Sequence, residues 1–246
     1  MSTRSSLRAL IRLAPEMDTT TIANADVDTL LDKAQIDLAL KGRALPKHDK
    51  FNATAETQEY VLSGAASVLA DNDFLAVDLL GGGVLFDNAG SRWVGYPELQ
   101  PKSKEWLDQH YSSWRTNSSA SIPLYYYVDG ASTGGISLGL VDKPSTTRTD
   151  GIWLHYLARG ALMTGDTHYP WTGSTTQLVH LEPYDLLLMY WVWEFITRTI
   201  TKQDGDADKY KLLYEQGAQA MRQRLPLADH LTKEGFRASG YFDWAK

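Results

Sequence analysis

The chain has 246 residues, with 30 acidic and 24 basic side chains and a formal net charge of −6. It has no cysteine, which excludes disulfide frameworks, thiolate zinc sites, iron–sulfur clusters and cysteine nucleophiles, and no run of Lys/Arg builds a nucleic-acid-gripping face. The length allows one large domain or two small ones without covalent staples, and the 8 Trp and 13 Tyr favour large buried surfaces and interfaces.

The opening MSTRSSLRALIRLAPEM lacks the apolar core of a signal peptide. A first helix is expected over Ser5–Ala14, with Leu7, Leu10, Ile11 and Ala14 on one face and Pro15 ending it. A second is expected over Ala25–Lys41, with Asn24 as N-cap and Gly42 as the C′ glycine. Val27, Leu30, Leu31, Ala34 and Leu38 make its apolar stripe. From Phe51 to Glu182 strand-like runs alternate with turns: EYVLS, FLAVDLL, GVLF, RWVGY, LYYYV, GISLGLV and IWLHYLA. Gly81-Gly82-Gly83 and Asp129-Gly130 read as hairpin turns between them. One aromatic helix, PKSKEWLDQHYSSW, interrupts this region.

The last third is helical again. EPYDLLLMYWVWEFITRTITKQ opens with Pro183 and Asp185, both good start signals. Leu186 to Trp193 is apolar without a break, which calls for burial on all sides and falls short of a bilayer span. Asp204-Gly205-Asp206 reads as a tight acidic break before a helix to Leu225, on which Tyr210, Leu213, Gly217, Met221 and Leu225 recur at helical spacing. The fold class is therefore α+β. N-terminal helices over 1–50 and a C-terminal helical hairpin over 183–225 form a small bundle. An antiparallel β domain with one short helix is inserted over 51–182, and an extended arm rich in aromatic residues follows over 226–246.

The chemical motifs carry little. Gly135-Ile136-Ser137-Leu138-Gly139 matches the nucleophile-elbow pattern, but Pro144 and a Thr-rich turn follow where a helix is required. Asp204, Asp206, Asp208 and Glu215 occupy calcium-loop positions, but Lys209 replaces the glycine of the sharp turn. The histidines at 48, 110, 155, 168, 180 and 230 show no metal-binding spacing, and His155 reads as a cross-strand or surface residue. Asp71/Asp73 and Glu182/Asp185 are explained by turns and helix starts. No catalytic residue, metal site or cofactor is expected. The alternative is a carbohydrate-binding or serine-hydrolase-like β domain, with Tyr125, Tyr126, Tyr127, Trp153 and Trp171 as a sugar platform.

The order of features is more telling. A Leu45-Pro46-Lys47 junction leads into the β region, then IPLYYYVDG, a glycine-flanked strand and VDKPSTTRTDGIWLHYLA. HLEPYDLLLMYWVWEF, an acidic break and DADKYKLLYEQGAQAMRQRL follow. Over about Ala25 to Leu225 this order resembles the head-to-tail adaptor (connector, or head-completion) proteins of tailed bacteriophages. It departs from them at GLVDKPS, which lacks their double-proline turn, and in the Gly-rich Asp71–Gly95 segment.

The resemblance implies a non-enzymatic virion protein at the head–tail interface, assembled in the host cytoplasm. It implies a ring, commonly of twelve copies, under the portal protein. Such a ring continues the channel for double-stranded DNA without reading its sequence, and offers a surface to tail, stopper or fibre proteins; no membrane is involved. It makes Phe236, Tyr241, Phe242 and Trp244 the anchors of a portal-binding arm. Leu187, Tyr190, Trp191 and Trp193, with Tyr125 and Tyr127, become candidates for inter-subunit or core packing.

Overall fold

The computed structural model describes residues 2–13, 22–87, 99–111, 113–116, 118–119, 123–130 and 135–232, with side chains to 224 apart from those of 118–119. The fold is α+β. In chain order the elements are α1 (Arg4–Ile11), α2 (Asn24–Gly42), β1 (Pro46–Ala53), β2 (Glu59–Val61), β3 (Phe74–Val77), β4 (Val84–Phe86), β5 (Gln100–Pro101), α3 (Lys104–His110), β6 (Ser118–Ser119), β7 (Tyr125–Gly130), β8 (Ile136–Val141), β9 (Lys143–Pro144), β10 (Arg148–Ala158), α4 (Asp185–Ile196) and α5 (Asp204–Thr232). They form two compact units. The helical unit takes the chain up to Leu45 and again from Arg159, and the second unit is Pro46–Ala158.

In the helical unit α4 packs against α1, α2 and α5. Leu188, Val192 and Ile196 of α4 are fully buried, as are Leu31, Ala34 and Leu38 of α2. α2 ends differently from the sequence expectation. Gly42 is its last residue, and Arg43 takes the left-handed cap at φ 52°. The glycine serves close packing instead, since a Cβ there would lie 2.6 Å from Met221 Sδ on α5. Asn24 does not cap α2 either; its Oδ1 accepts from the Arg12 guanidinium at 2.8 Å.

α5 also departs from expectation. The break before it is at Lys202, at φ 55°, so Asp204 and Asp206 form its first turn, where acidic groups suit the helix dipole. Its inner face carries Ala207, Tyr214, Ala218 and Met221, while Leu213 is 44% exposed. Tyr214 shares this face by helical spacing, and its hydroxyl donates to Asp37 Oδ2 on α2 at 2.7 Å. The helix continues past Leu225 and Pro226 to Thr232.

Residues from Arg159 to Leu181 form irregular structure in the helical unit, whereas the composition had placed the second junction after Glu182. Gln35, fully buried on α2, explains the difference. Its amide donates to Ala161 O at 3.0 Å and accepts from Trp171 N–H at 3.1 Å. The same segment caps α1: Arg4 N–H reaches His168 O and Ser5 N–H reaches Asp166 O, at 2.9 and 3.0 Å.

The second unit opens and closes with paired strands. β1 runs antiparallel to β10, from Pro46↔Leu157 to Ala53↔Arg148. β3 and β4 pair with the other edge of β10. They follow one another along that edge, so Gly81-Gly82-Gly83 is not a hairpin turn. Asp78 N–H donates to His155 O while His155 N–H donates to Gly83 O, both at 2.9 Å. The chain between Asp78 and Gly83 thus loops out opposite a single residue. A second sheet has the order β2–β8–β7–β5. It is mixed rather than wholly antiparallel: β5 lies parallel to β7, because the connection between them carries α3 and so makes a crossover. β6 and β9 are a further short parallel pair. RWVGY lies outside the described residues.

Two substitutions test these packing assignments. Gly139 faces Tyr127 across the β7–β8 ladder, and a Cβ there would fall 1.9 Å from Tyr127 Cζ. Gly139→Ala is expected to lower stability by about 1–3 kcal/mol, read from the urea midpoint; an unchanged midpoint would refute the assignment. Gln35→Ala removes the partners of the Ala161 carbonyl and the Trp171 amide. It is expected to cost about 1–3 kcal/mol for each buried group left unpaired, seen as a lower melting temperature of the helical unit.

Candidate assembly surface

The apolar run on α4 is divided by its neighbours. Leu187 faces α5, where a Cβ on Gly217 would lie 2.2 Å from its Cδ2, so it is a core residue. Trp193 is half-buried. Its indole N–H donates to Ile11 O at 3.1 Å, and its ring lies 5.4 Å from Tyr210 and 5.9 Å from Tyr190. Trp191 stacks on Phe195 one turn later, at 5.7 Å and 5°. This leaves Leu186 47% and Phe195 37% exposed on α4, Ile200 47% exposed in the wider π-helical turn after it, and Leu212 55% and Leu213 44% exposed on α5. Leu187, a candidate for inter-subunit or core packing, takes the core position, whereas Leu213, on the stripe with Tyr210, Gly217 and Met221, is exposed. The paired leucines at 212 and 213 were the available signal, since a helix cannot bury two adjacent positions and Tyr214 as well.

The start of α4 is electrostatically unusual. Asp185 is buried, and its Oδ2 has no hydrogen-bond partner among the described residues. Burial pushes its carboxyl up to about 7, against the pull of hydrogen bonds from Ser2, and Glu182 adds to the rise.

In the second unit the tyrosine triplet has both faces covered. Tyr127 is buried with Leu107, Trp114 and Val141, and Trp106, Tyr111 and Tyr125 pack against this cluster. The Tyr127 hydroxyl donates to Glu59 Oε1 at 2.8 Å; burial and then this carboxylate hold the phenol well above its ordinary range. Tyr125 is half-buried, with Trp106 at 5.5 Å and Lys102 Nζ 5.6 Å over its ring. Tyr126 points to the opposite face. There it lines an open cleft of about 430 Å³ together with Phe74, Ala76, Val77, Val128 and Ile136. The triplet belongs to the second unit and the α4 residues to the helical unit.

The alternative chemistries find no support in these placements. Ser137 is buried in mid-strand, donates to Asp129 O at 3.4 Å, and is followed by β9 rather than a helix. Asp206 and Asp208 lie within α5, paired with Lys209 and Arg198 at 2.7 and 2.9 Å. Among the described residues no three acidic or His side chains converge on a metal position. Tyr126, Tyr127 and Trp171 are buried, and Trp153 carries Lys50 Nζ over its ring, so the proposed sugar platform is not an open aromatic plane. Phe236, Tyr241, Phe242 and Trp244 lie outside the described residues.

Asp185 yields a signed pH dependence. Its carboxyl ionises near 3.8 when unfolded and near 7 when folded, so the folded state binds more protons between these values. Unfolding free energy therefore falls as pH rises through that window and levels off above it. Asp185→Asn is expected to lack this fall and to be the more stable protein at about pH 8, by an amount on the order of 2 kcal/mol. Thermal melts of both proteins from about pH 4 to about pH 8 measure the difference; a pH-independent difference would contradict it.

No curated protein matches the chain. A family model described as SU10 adaptor protein matches residues 3–233, a range that takes in every helix and strand described above. The chain belongs to this family of bacteriophage head-to-tail adaptors.

Proposed function

We propose that copies of this adaptor close into a ring of twelve beneath the portal protein, extend the DNA channel and present the attachment surface for tail, stopper or fibre proteins. The observation that carries the ring is the apolar surface of the C-terminal hairpin. Leu186, Phe195, Ile200, Leu212 and Leu213 stay exposed in a single copy, with Leu186 and Phe195 about two and a half turns apart and so on opposite sides of α4, and exposed apolar side chains on two sides suit contacts to the two neighbours of a ring. Trp191, stacked on Phe195, and Tyr190 add half-buried rings that a neighbouring copy would finish covering. Leu187 and Tyr127 contribute to the core and not to the interface; Tyr125, beside Trp106, is a secondary contact.

Each copy brings a net charge of −6, so a ring multiplies negative charge around its axis. Like charge between wall and phosphates lets DNA pass without being held, in keeping with the absence of a basic stripe in the sequence. The segment after Thr232 is the portal-docking arm in this reading, with Phe236, Tyr241, Phe242 and Trp244 as anchors, since buried aromatics dominate interface energies. The role is structural and involves no turnover.

Leu186→Asp and Leu213→Asp place charge on exposed positions. Each is expected to leave stability within about 0.5 kcal/mol and to abolish ring formation on the portal, seen by electron microscopy. Rings of normal symmetry with both aspartates present would refute the interface. Removal of residues 233–246 is expected to leave a folded protein that fails to join the portal, and normal joining would refute the arm.

A further inference from the structure

One face of the β1–β10 ladder carries an arrangement that the assembly role does not use. His48 and His155 are direct partners across the two antiparallel strands, so their side chains leave the same face of the sheet. Their rings lie 5.9 Å apart, centroid to centroid, at 40°. We propose that this pair is a two-point site for a divalent first-row transition ion such as Cu²⁺, Ni²⁺ or Zn²⁺.

The spacing fits. An imidazole nitrogen binds such an ion at about 2.0–2.1 Å, so two rings sharing one ion have centroids no more than about 6.4 Å apart. The backbone fixes the pair from both sides. His155 N–H and C=O are both engaged by the loop from Asp78 to Gly83, and β1 pairs with the other edge of β10 at this position. Gly82, in that loop, packs against the Cδ2–Nε2 edge of His155, where a Cβ would come within 3.3 Å, and so supports the ring from the side away from β1. His48 is exposed and offers an approach from solvent.

Neutral imidazoles are the form that ligates such an ion. Lys50 is the opposing charge on this face, with its ammonium 4.8 Å over the Trp153 ring. Among the described residues no third acidic or His ligand completes a cage, so water fills the remaining positions and imidazole-preferring ions are selected over calcium and magnesium.

Trp153 supplies a built-in reporter, with its ring 4.9 Å from His155 and 5.8 Å from His48. The untagged full chain is titrated with CuCl₂ while tryptophan fluorescence and binding heat are recorded. One saturable equivalent with fluorescence quenching is expected. His48→Ala, on an exposed ring, and His155→Ala are each expected to weaken binding at least about tenfold, as large as losses from removing mere ligand-orienting groups. Trp153→Phe should remove most of the quenching and keep the heat, and His110→Ala should change neither. Absence of saturable binding, or affinity unchanged in His48→Ala, would overturn the site.

Discussion

The antiparallel pairing of β1 with β10 is the constraint on which the rest of the structure depends. The strand that begins the second unit and the strand that ends it are neighbours, with Pro46 opposite Leu157. The chain therefore leaves the helical unit and returns to it at adjacent points. That is why a long insertion can interrupt α2 and α4 without separating them, since loop closure costs little once the two ends are held together. β10 is also the longest strand, and it carries β3 and β4 on its far edge. One strand thus organises a sheet, closes the insertion and holds the face where His48 and His155 meet.

Within the helical unit the governing demand is burial of α4. Its mean apolar character is too high for any one neighbour to cover, so α1, α2 and α5 all pack on it. Close approach is arranged with glycines: Gly42 lies against Met221, and Gly217 against Leu187. Even so, the hairpin keeps leucines and aromatic rings at its surface. In a protein that belongs to a head-to-tail adaptor family, residual apolar surface reads naturally as surface reserved for other copies. Burial and exposure divide the same run of residues between the core and the surface.

Much of this was legible in the sequence, for reasons specific to each element. The α2 stripe from Val27 to Leu38 was clear because its period is helical and every member is buried. β7 and β8 were clear because their aromatic and branched residues sit between turns. β1 was not, and was read as a junction. It is an edge strand whose outward residues are polar and whose buried ones are only Phe51 and Ala53. The glycine triplet misled because hairpins and bulges use the same residue; only the pairing of β3 and β4 with a common partner separates them. Leu213 turned out exposed because the buried face of α5 runs through Ala207, Tyr214, Ala218 and Met221, one position along from the stripe that the sequence suggests. The tyrosine triplet looked like a binding platform, but three-dimensional neighbours, Trp114 and Glu59 above all, make it part of a core.

The central claim is that this chain works as a closed ring on a portal. The most direct test is cryo-electron microscopy of the full chain mixed with the portal protein of the same phage. The account predicts a coaxial collar with twelve copies, joined through the α4–α5 hairpin. Isolated copies bound off the axis, or a portal left bare at saturating concentration, would contradict it.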